Sequence, residues 1–184
     1  LPILMESIDK CLSLGIEPVK INTVLMKGFN DTEFEDFLNL TRKMPVEIRF
    51  IELMPIGEGI KIYKKSKLNF MELLKKHPEL EQIETQKSST AQLYKLSGAK
   101  GKIGFISPVS CKFCAECNKI RLTSIGTIKQ CLHSKEEINL RQYLNDEEML
   151  ANVLKQAIYN KPLEHHLDDE KISRSEKMMY QIGG

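Results

Sequence analysis

The chain has 184 residues, a formal net charge of +2, 41% hydrophobic and 28% charged residues. That length holds one ordinary domain or two small ones with a buried core, and the near-neutral charge gives no reason to expect a nucleic-acid partner. No apolar run approaches the roughly 20 residues of a membrane span, and the opening LPILMESIDK has no charged segment ahead of a long apolar stretch, as a signal peptide would.

Ile3, Leu4, Ile8 and Leu12 recur at helical spacing, with Gly15 as a stop. Val19–Met26 is apolar and β-branched on both faces, which predicts a buried parallel strand. Gly28-Phe29-Asn30-Asp31 turns the chain. Asn30 with Glu33 predicts a capping box opening a helix through about Arg42. Val46–Met54 reads as a second buried strand. This α-β-α-β alternation implies right-handed crossovers and a parallel sheet, hence an α/β fold. Two strands do not make a stable parallel sheet alone, so further βα units are expected upstream. The start at Leu1, inside a helical pattern, gives the same expectation that the chain is a fragment.

After Pro55 the character changes, and the sequence divides into regions 1–55 and 56–184. Residues 56–67 read as a loop and residues around Phe70–Lys76 as a short helix. AQLYKL and KIGFIS alternate as small antiparallel strands beside a cysteine-rich loop. From Leu140 to Asn160 the pattern returns to helix, with Leu144, Met149, Leu150, Val153, Leu154 and Ile158 on one face. The polar tail carries His165 and His166, read as surface or supporting residues, and ends in Ile182-Gly183-Gly184.

Four of the five cysteines, Cys111, Cys114, Cys117 and Cys131, fall within 21 residues. Thiolates bunched this tightly normally share a metal, and soft sulfur selects zinc or an iron–sulfur cluster over magnesium or calcium. Four could close a tetrahedral zinc site. Three could hold a [4Fe–4S] cluster with one iron open, the C-x2-C-x2-C start being like the ferredoxin run without its nearby fourth cysteine. The odd count and the clustering fit a cytoplasmic metal site better than a secreted disulfide framework. Cys11, on the first helix, reads as a small buried hydrophobe.

Lys119 and Arg121 follow Cys117 at alternate positions, so on a strand they share a face. They suit an anionic ligand such as a polyphosphate, or are a solvated strand face. Lys20 and Arg49 are charges inside otherwise apolar strands, costly to bury unpaired; they face a ligand or snorkel to water from a strand end. Asn22 reads as a substrate contact or a satisfied core amide, and Met54 as core packing or a ligand contact.

The segments VKINTVLMKGFND, IRFIELMPIGEG, FISPVS-x2-FC-x2-CNKIRLTSIG-x4-CL and QIGG together resemble the C-terminal part of the GTP 3′,8-cyclase family. These are radical S-adenosylmethionine enzymes of the MoaA type that open molybdenum cofactor biosynthesis. The resemblance implies the last βα units of an incomplete (βα)6 barrel, followed by a small α+β region that binds iron–sulfur. In the family, one [4Fe–4S] cluster cleaves S-adenosylmethionine. A second, held by three cysteines, binds GTP at its open iron. A 5′-deoxyadenosyl radical takes hydrogen from the ribose C3′, the ribose radical attacks C8 of guanine, and (8S)-3′,8-cyclo-7,8-dihydroguanosine 5′-triphosphate results.

By position, Cys114, Cys117 and Cys131 match the ligands of the second cluster. Lys20, Lys119, Ile120 and Arg121 match GTP contacts, and Arg49 lies on the strand that faces the site. Met54 matches an S-adenosylmethionine contact; Gly183 and Gly184 match a double-glycine tail that reaches the substrate. The family usually has Arg where this chain has Lys119. Cys111 is additional to the family's ligands and is expected to stay free. The C-x3-C-x2-C motif of the first cluster is absent, so the chain alone is expected to be inactive. The resemblance also implies a downstream cyclic pyranopterin monophosphate synthase as pathway partner, with a homodimer an open alternative to a monomer. Two rival readings are a structural zinc module that binds a protein and an electron-transfer iron–sulfur domain, both using Cys111.

Overall fold

The computed structural model describes residues 1–86, 89–165, 167, 173, 175, 177, 178 and 181. His166, Gly183 and Gly184 lie outside these. The fold is mixed α/β and divides into two compact units, each discontinuous in sequence. The first comprises Leu1–Leu53 and Lys65–Cys111; the second comprises Met54–Lys64 and Lys112–Gly184. The division made from sequence at residue 55 was contiguous.

In the first unit, α1 (Pro2–Ser13) begins with proline at its first position, where the missing N–H costs nothing. Gly15, at φ +71, ends it in the left-handed conformation, and its N–H donates to Leu12 O at 3.0 Å. Strand β1 (Val19–Leu25) runs parallel to β2 (Val46–Glu52) in the register Val19↔Val46 through Leu25↔Glu52. Helix α2 (Phe34–Lys43) connects them, preceded by a 3-10 turn at Asp31–Glu33. The expected capping box does not form. Asn30 instead turns back on β1, accepting from Met26 N at 2.8 Å and donating to Val24 O at 3.1 Å. Two backbone groups at the strand end outbid the helix start for its amide.

Residues 56–67 are not all loop. Helix α3 (Gly59–Ser66) occupies most of them, with Glu58 ion-paired to Lys61 at 2.7 Å. Gly57 and Gly59 disguise it in the sequence. Helix α4 (Phe70–Lys76) is capped by Asn69, whose side chain accepts from Met71 N at 2.9 Å. Strands β3 (Leu80–Gln82), β4 (Gln92–Leu96) and β5 (Lys102–Ile106) complete a five-stranded sheet in the order β1-β2-β5-β4-β3. The expected antiparallel pairing of AQLYKL with KIGFIS forms, and a parallel pairing that the sequence did not indicate joins it to β2. β5 pairs parallel with β2 and antiparallel with β4.

The sheet packs one face on an aromatic core. Phe50 meets Phe34, Phe37 and Phe105 at ring-centroid distances of 5.0, 5.4 and 5.7 Å, with Phe70 and Tyr94 also on Phe105. Gly101 has no room for a side chain, since a Cβ there would lie within 2.2 Å of Val46 O. β1 also departs from expectation. It alternates between half-buried and exposed residues rather than being buried on both faces, because it is the outermost strand of the described sheet.

The second unit contains a three-stranded antiparallel sheet, β6 (Arg121–Leu122), β7 (Thr127–Lys129) and β8 (Ile138–Asn139), and helix α5 (Glu147–Tyr159). Asp146 caps α5 by accepting from Met149 N at 2.9 Å. The helix packs through Leu150, Val153, Leu154 and Ala157 on Ile128, Ile138 and Leu140. Leu144, Met149 and Ile158, expected on that face, are exposed. The helix starts only after a 3-10 turn at Arg141–Tyr143, which rotates the apolar stripe relative to a continuous helix.

Candidate metal and anion site

Cys114 opens a 3-10 turn (Cys114–Glu116) that closes with Cys117 N donating to Cys114 O at 3.1 Å. Cys117 follows the turn in extended backbone, at φ −75 and ψ 108. After Cys117 the chain enters the β6–β7 hairpin, where Arg121 pairs with Lys129. Its connection, Thr123 to Thr127, is tied by the two hydroxyls at 2.7 Å and by Gly126 at φ +77. The hairpin reverses the chain, and Cys131 follows two residues beyond Lys129. Ser134 fixes that corner, its N–H and Oγ both directed at Cys131 O at 3.3 and 2.9 Å.

Cys114, Cys117 and Cys131 are half-buried free thiols, and Cys111 is an exposed one. This donor set is all sulfur and carries no disulfide, which fits zinc or an iron–sulfur group. Among the described residues, the one set of three His, Cys, Asp or Glu ligand atoms lying within 4.8 Å of one another is Glu35, His77 and Glu79. The thiols are thus not drawn into the cage of about 3.8 Å edge that Zn–S bonds of about 2.3 Å impose on tetrahedral sulfur. Cys111 belongs to the first unit, where Gln92 Nε2 lies 3.8 Å from its Sγ.

Arg121 opens β6 and is half-buried, while Lys119 lies before the strand, exposed, donating to Asn118 Oδ1 at 2.7 Å. The shared strand face expected for the two is therefore not formed, because β6 is only two residues long. Ile120, between them, is 37% exposed. Met54, half-buried, follows β2 in a turn closed by Ile56 N on its carbonyl at 2.9 Å.

In the first unit, Lys20 and Asn22 of β1 pair with Glu47 and Arg49 of β2, and these with Lys102 and Gly104 of β5. All six project away from the aromatic core, making a polar sheet face. Arg49 Nε donates to Glu47 Oε1 at 2.5 Å, so this half-buried cation is paired. Gly104 leaves room beside it: a Cβ there would be 3.3 Å from Arg49 Cγ. Lys20 and Asn22 are exposed.

Sequence reasoning passed over two further groups. Glu52, 5% exposed at the end of β2, accepts from Val109 N and Ser110 N, both at 3.0 Å, and so holds the loop that leads into the cysteines. In the second unit a buried polar cluster surrounds Lys129, which is 1% exposed. Its Nζ donates to Ser134 O at 2.6 Å and Ser175 Oγ at 3.1 Å and faces Glu137 Oε1 at 3.7 Å. Burial pushes Lys129 below the usual lysine range, and Glu137 opposes that shift. His133 sits on Ser173 Oγ at 3.3 Å and packs edge-on against His165 at 4.9 Å. Burial first, then the charges of His165, Arg121 and Lys129, push His133 down to about 4, so its ring is neutral at neutral pH. His165 is 7% exposed and so is not a surface residue. The available signal was its own motif: paired histidines in an otherwise polar tail.

Residues 46–167 match the family described as Molybdenum Cofactor Synthesis C. A GTP 3′,8-cyclase of Clostridium acetobutylicum is 62% identical over 180 residues, covering 98% of this chain and 57% of that protein. Proteins of the same name from Clostridium botulinum and Alkaliphilus oremlandii are 58% and 44% identical, over 97% and 98% of this chain and 56% and 57% of their own lengths. The chain thus spans a little over half the length of these relatives. It belongs to the Molybdenum Cofactor Synthesis C family.

Proposed function

We propose that the chain is the substrate-holding portion of a GTP 3′,8-cyclase, a radical S-adenosylmethionine lyase of the cytoplasm. In this reading the first unit supplies the last βα units of an incomplete (βα)6 barrel, and the second binds iron–sulfur. The observation that carries it is a set of three free thiols on a turn and a hairpin corner, with Arg121 between them in sequence. That set occurs in a chain 62% identical to a protein of this name.

Cys114, Cys117 and Cys131 would hold a [4Fe–4S] cluster. When bound, the cluster supplies Lewis-acidic iron with a vacant position for a guanine donor atom. The chain's own residues do the rest. Lys119 and Arg121 neutralise triphosphate, Arg as a planar fork and Lys as a point charge. Ile120 gives the guanine an apolar neighbour. Lys20 and Arg49 add positive charge on the polar sheet face, with Glu47 holding the Arg49 guanidinium in orientation. Met54 contacts S-adenosylmethionine, and Gly183-Gly184 brings bare backbone to the substrate. Cys111 remains free. The S-adenosylmethionine cluster belongs to the remainder of the enzyme, without which this chain does not turn over. The product passes to cyclic pyranopterin monophosphate synthase.

Anaerobic reconstitution with iron and sulfide tests this. Cys114→Ser, Cys117→Ser and Cys131→Ser should each abolish the iron–sulfur absorption, Cys111→Ser should retain it, and added GTP should change the EPR signal of the reduced cluster. Zinc as the sole metal, lost equally in Cys111→Ser and Cys114→Ser, would refute the reading in favour of a structural module.

A further inference from the structure

Three tail residues at alternate positions are each fastened to the cysteine-bearing unit. Ser173 N donates to Pro55 O at 3.0 Å, and Ser173 Oγ meets His133 Nδ1. Ser175 Oγ accepts from Lys129 Nζ. Lys177 Nζ donates to Glu137 Oε2 at 2.7 Å. The tail then crosses Gly57, where an added Cβ would come within 2.9 Å of Met178 Sδ.

Glu137 is common to most of this. Its Oε2 accepts both Lys177 and the Thr127 hydroxyl, the latter at 2.6 Å, while its Oε1 faces Lys129. Thr127 and Lys129 are the two ends of β7, the strand that leads to Cys131. One carboxylate thereby joins the strand, the buried lysine and the tail. Charge-assisted contacts to a half-buried group are the stronger class of hydrogen bond.

We propose that Glu137 is a positioning residue that latches Lys177, and with it the tail stretch anchored at Ser173 and Ser175, to β7. The latch stands on this geometry. Its consequence for GTP rests on the function proposed above.

Hydrogen exchange read by mass spectrometry on the full chain tests the latch without activity. Glu137→Gln and Lys177→Met should each speed exchange in peptides covering residues 171–184 by about tenfold, the effect of losing one charge-assisted hydrogen bond. The double variant should add little to either single one, because the two side chains act as a pair. Lys177→Arg should restore protection. First-unit peptides serve as the folding control, and Lys177→Met, altered on the tail alone, keeps the test open should Glu137→Gln misfold. Unchanged tail exchange in Lys177→Met, or fully additive effects, would overturn the latch. In the complete reconstituted enzyme the variants should raise KM for GTP while leaving iron content unchanged. A loosened tail with an unaltered KM would uphold the latch and refute the tail's role at the substrate.

Discussion

The two units are held together by different means. Among the described residues the apolar cluster of the first unit joins thirteen buried residues around Phe50, whereas that of the second joins three, Ile128, Leu140 and Ala157. The second unit buries the polar Thr123, Lys129, His133, His165, Ser173 and Ser175, against Asn30, Thr41, Glu47 and Glu52 in the first. Apolar burial is non-directional and tolerates small shifts, whereas a buried polar network is stable only when every member is satisfied. No described buried side-chain nitrogen or oxygen lacks a partner. The contrast teaches that the first unit is a scaffold and that the second is specified by hydrogen bonds converging around the cysteine-bearing hairpin.

The largest expected effect lies in the scaffold. Phe50→Ala should cost about 3–5 kcal/mol, the usual range for emptying an aromatic site in a packed core, measured as a fall in the urea midpoint of the first unit. Lys129→Met should cost about 1–3 kcal/mol, the penalty for stranding buried acceptors, and should appear as faster exchange confined to second-unit peptides. Equal losses in both units would break the comparison. Glu52→Ala should cost about 1 kcal/mol, as removing a side-chain acceptor from two backbone N–H groups does at a helix cap. Its signature is faster exchange at Val109 and Ser110 with strand β2 still protected.

The smallest effect is with pH. Burial raises the Glu137 carboxyl, but hydrogen bonds from Lys177 and Thr127 and the charges of Lys177 and Lys129 outweigh it and hold the group below the usual 4.5. A carboxyl lowered in the folded state contributes stability that is present above its unfolded value. That contribution is lost as pH falls through the folded value. Tail protection should therefore be constant from neutrality down to about pH 4.5 and decline below it. Glu137→Gln should flatten that decline.

Much of the scaffold was legible because its signals are local. The helix α1, the apolar run of β2 and the short helix from Phe70 all survive folding, although Ile3 and Leu4 of α1 stay exposed. Long-range pairing was not legible. KIGFIS carries a glycine at its centre, so its period does not say that it will be a middle strand against β2. The cysteine set was legible from spacing alone. Glu52, Lys129 and Glu137 were not, because each has a partner far off in sequence, 57, 46 and 40 residues away. A buried polar residue and a solvated one look alike until those partners are known.

Among the described residues β1 is the outermost strand of its sheet, which has a practical consequence for handling this stretch of chain by itself. A strand with one row of backbone donors and acceptors unclaimed can recruit a like strand from another molecule, and a charged side chain on such an edge is a common deterrent. Lys20 occupies that post on β1, where Val24 is 39% exposed. Replacing Lys20 by an apolar residue should lower solubility as well as remove a charge, so sedimentation of such a variant belongs beside any titration with nucleotide.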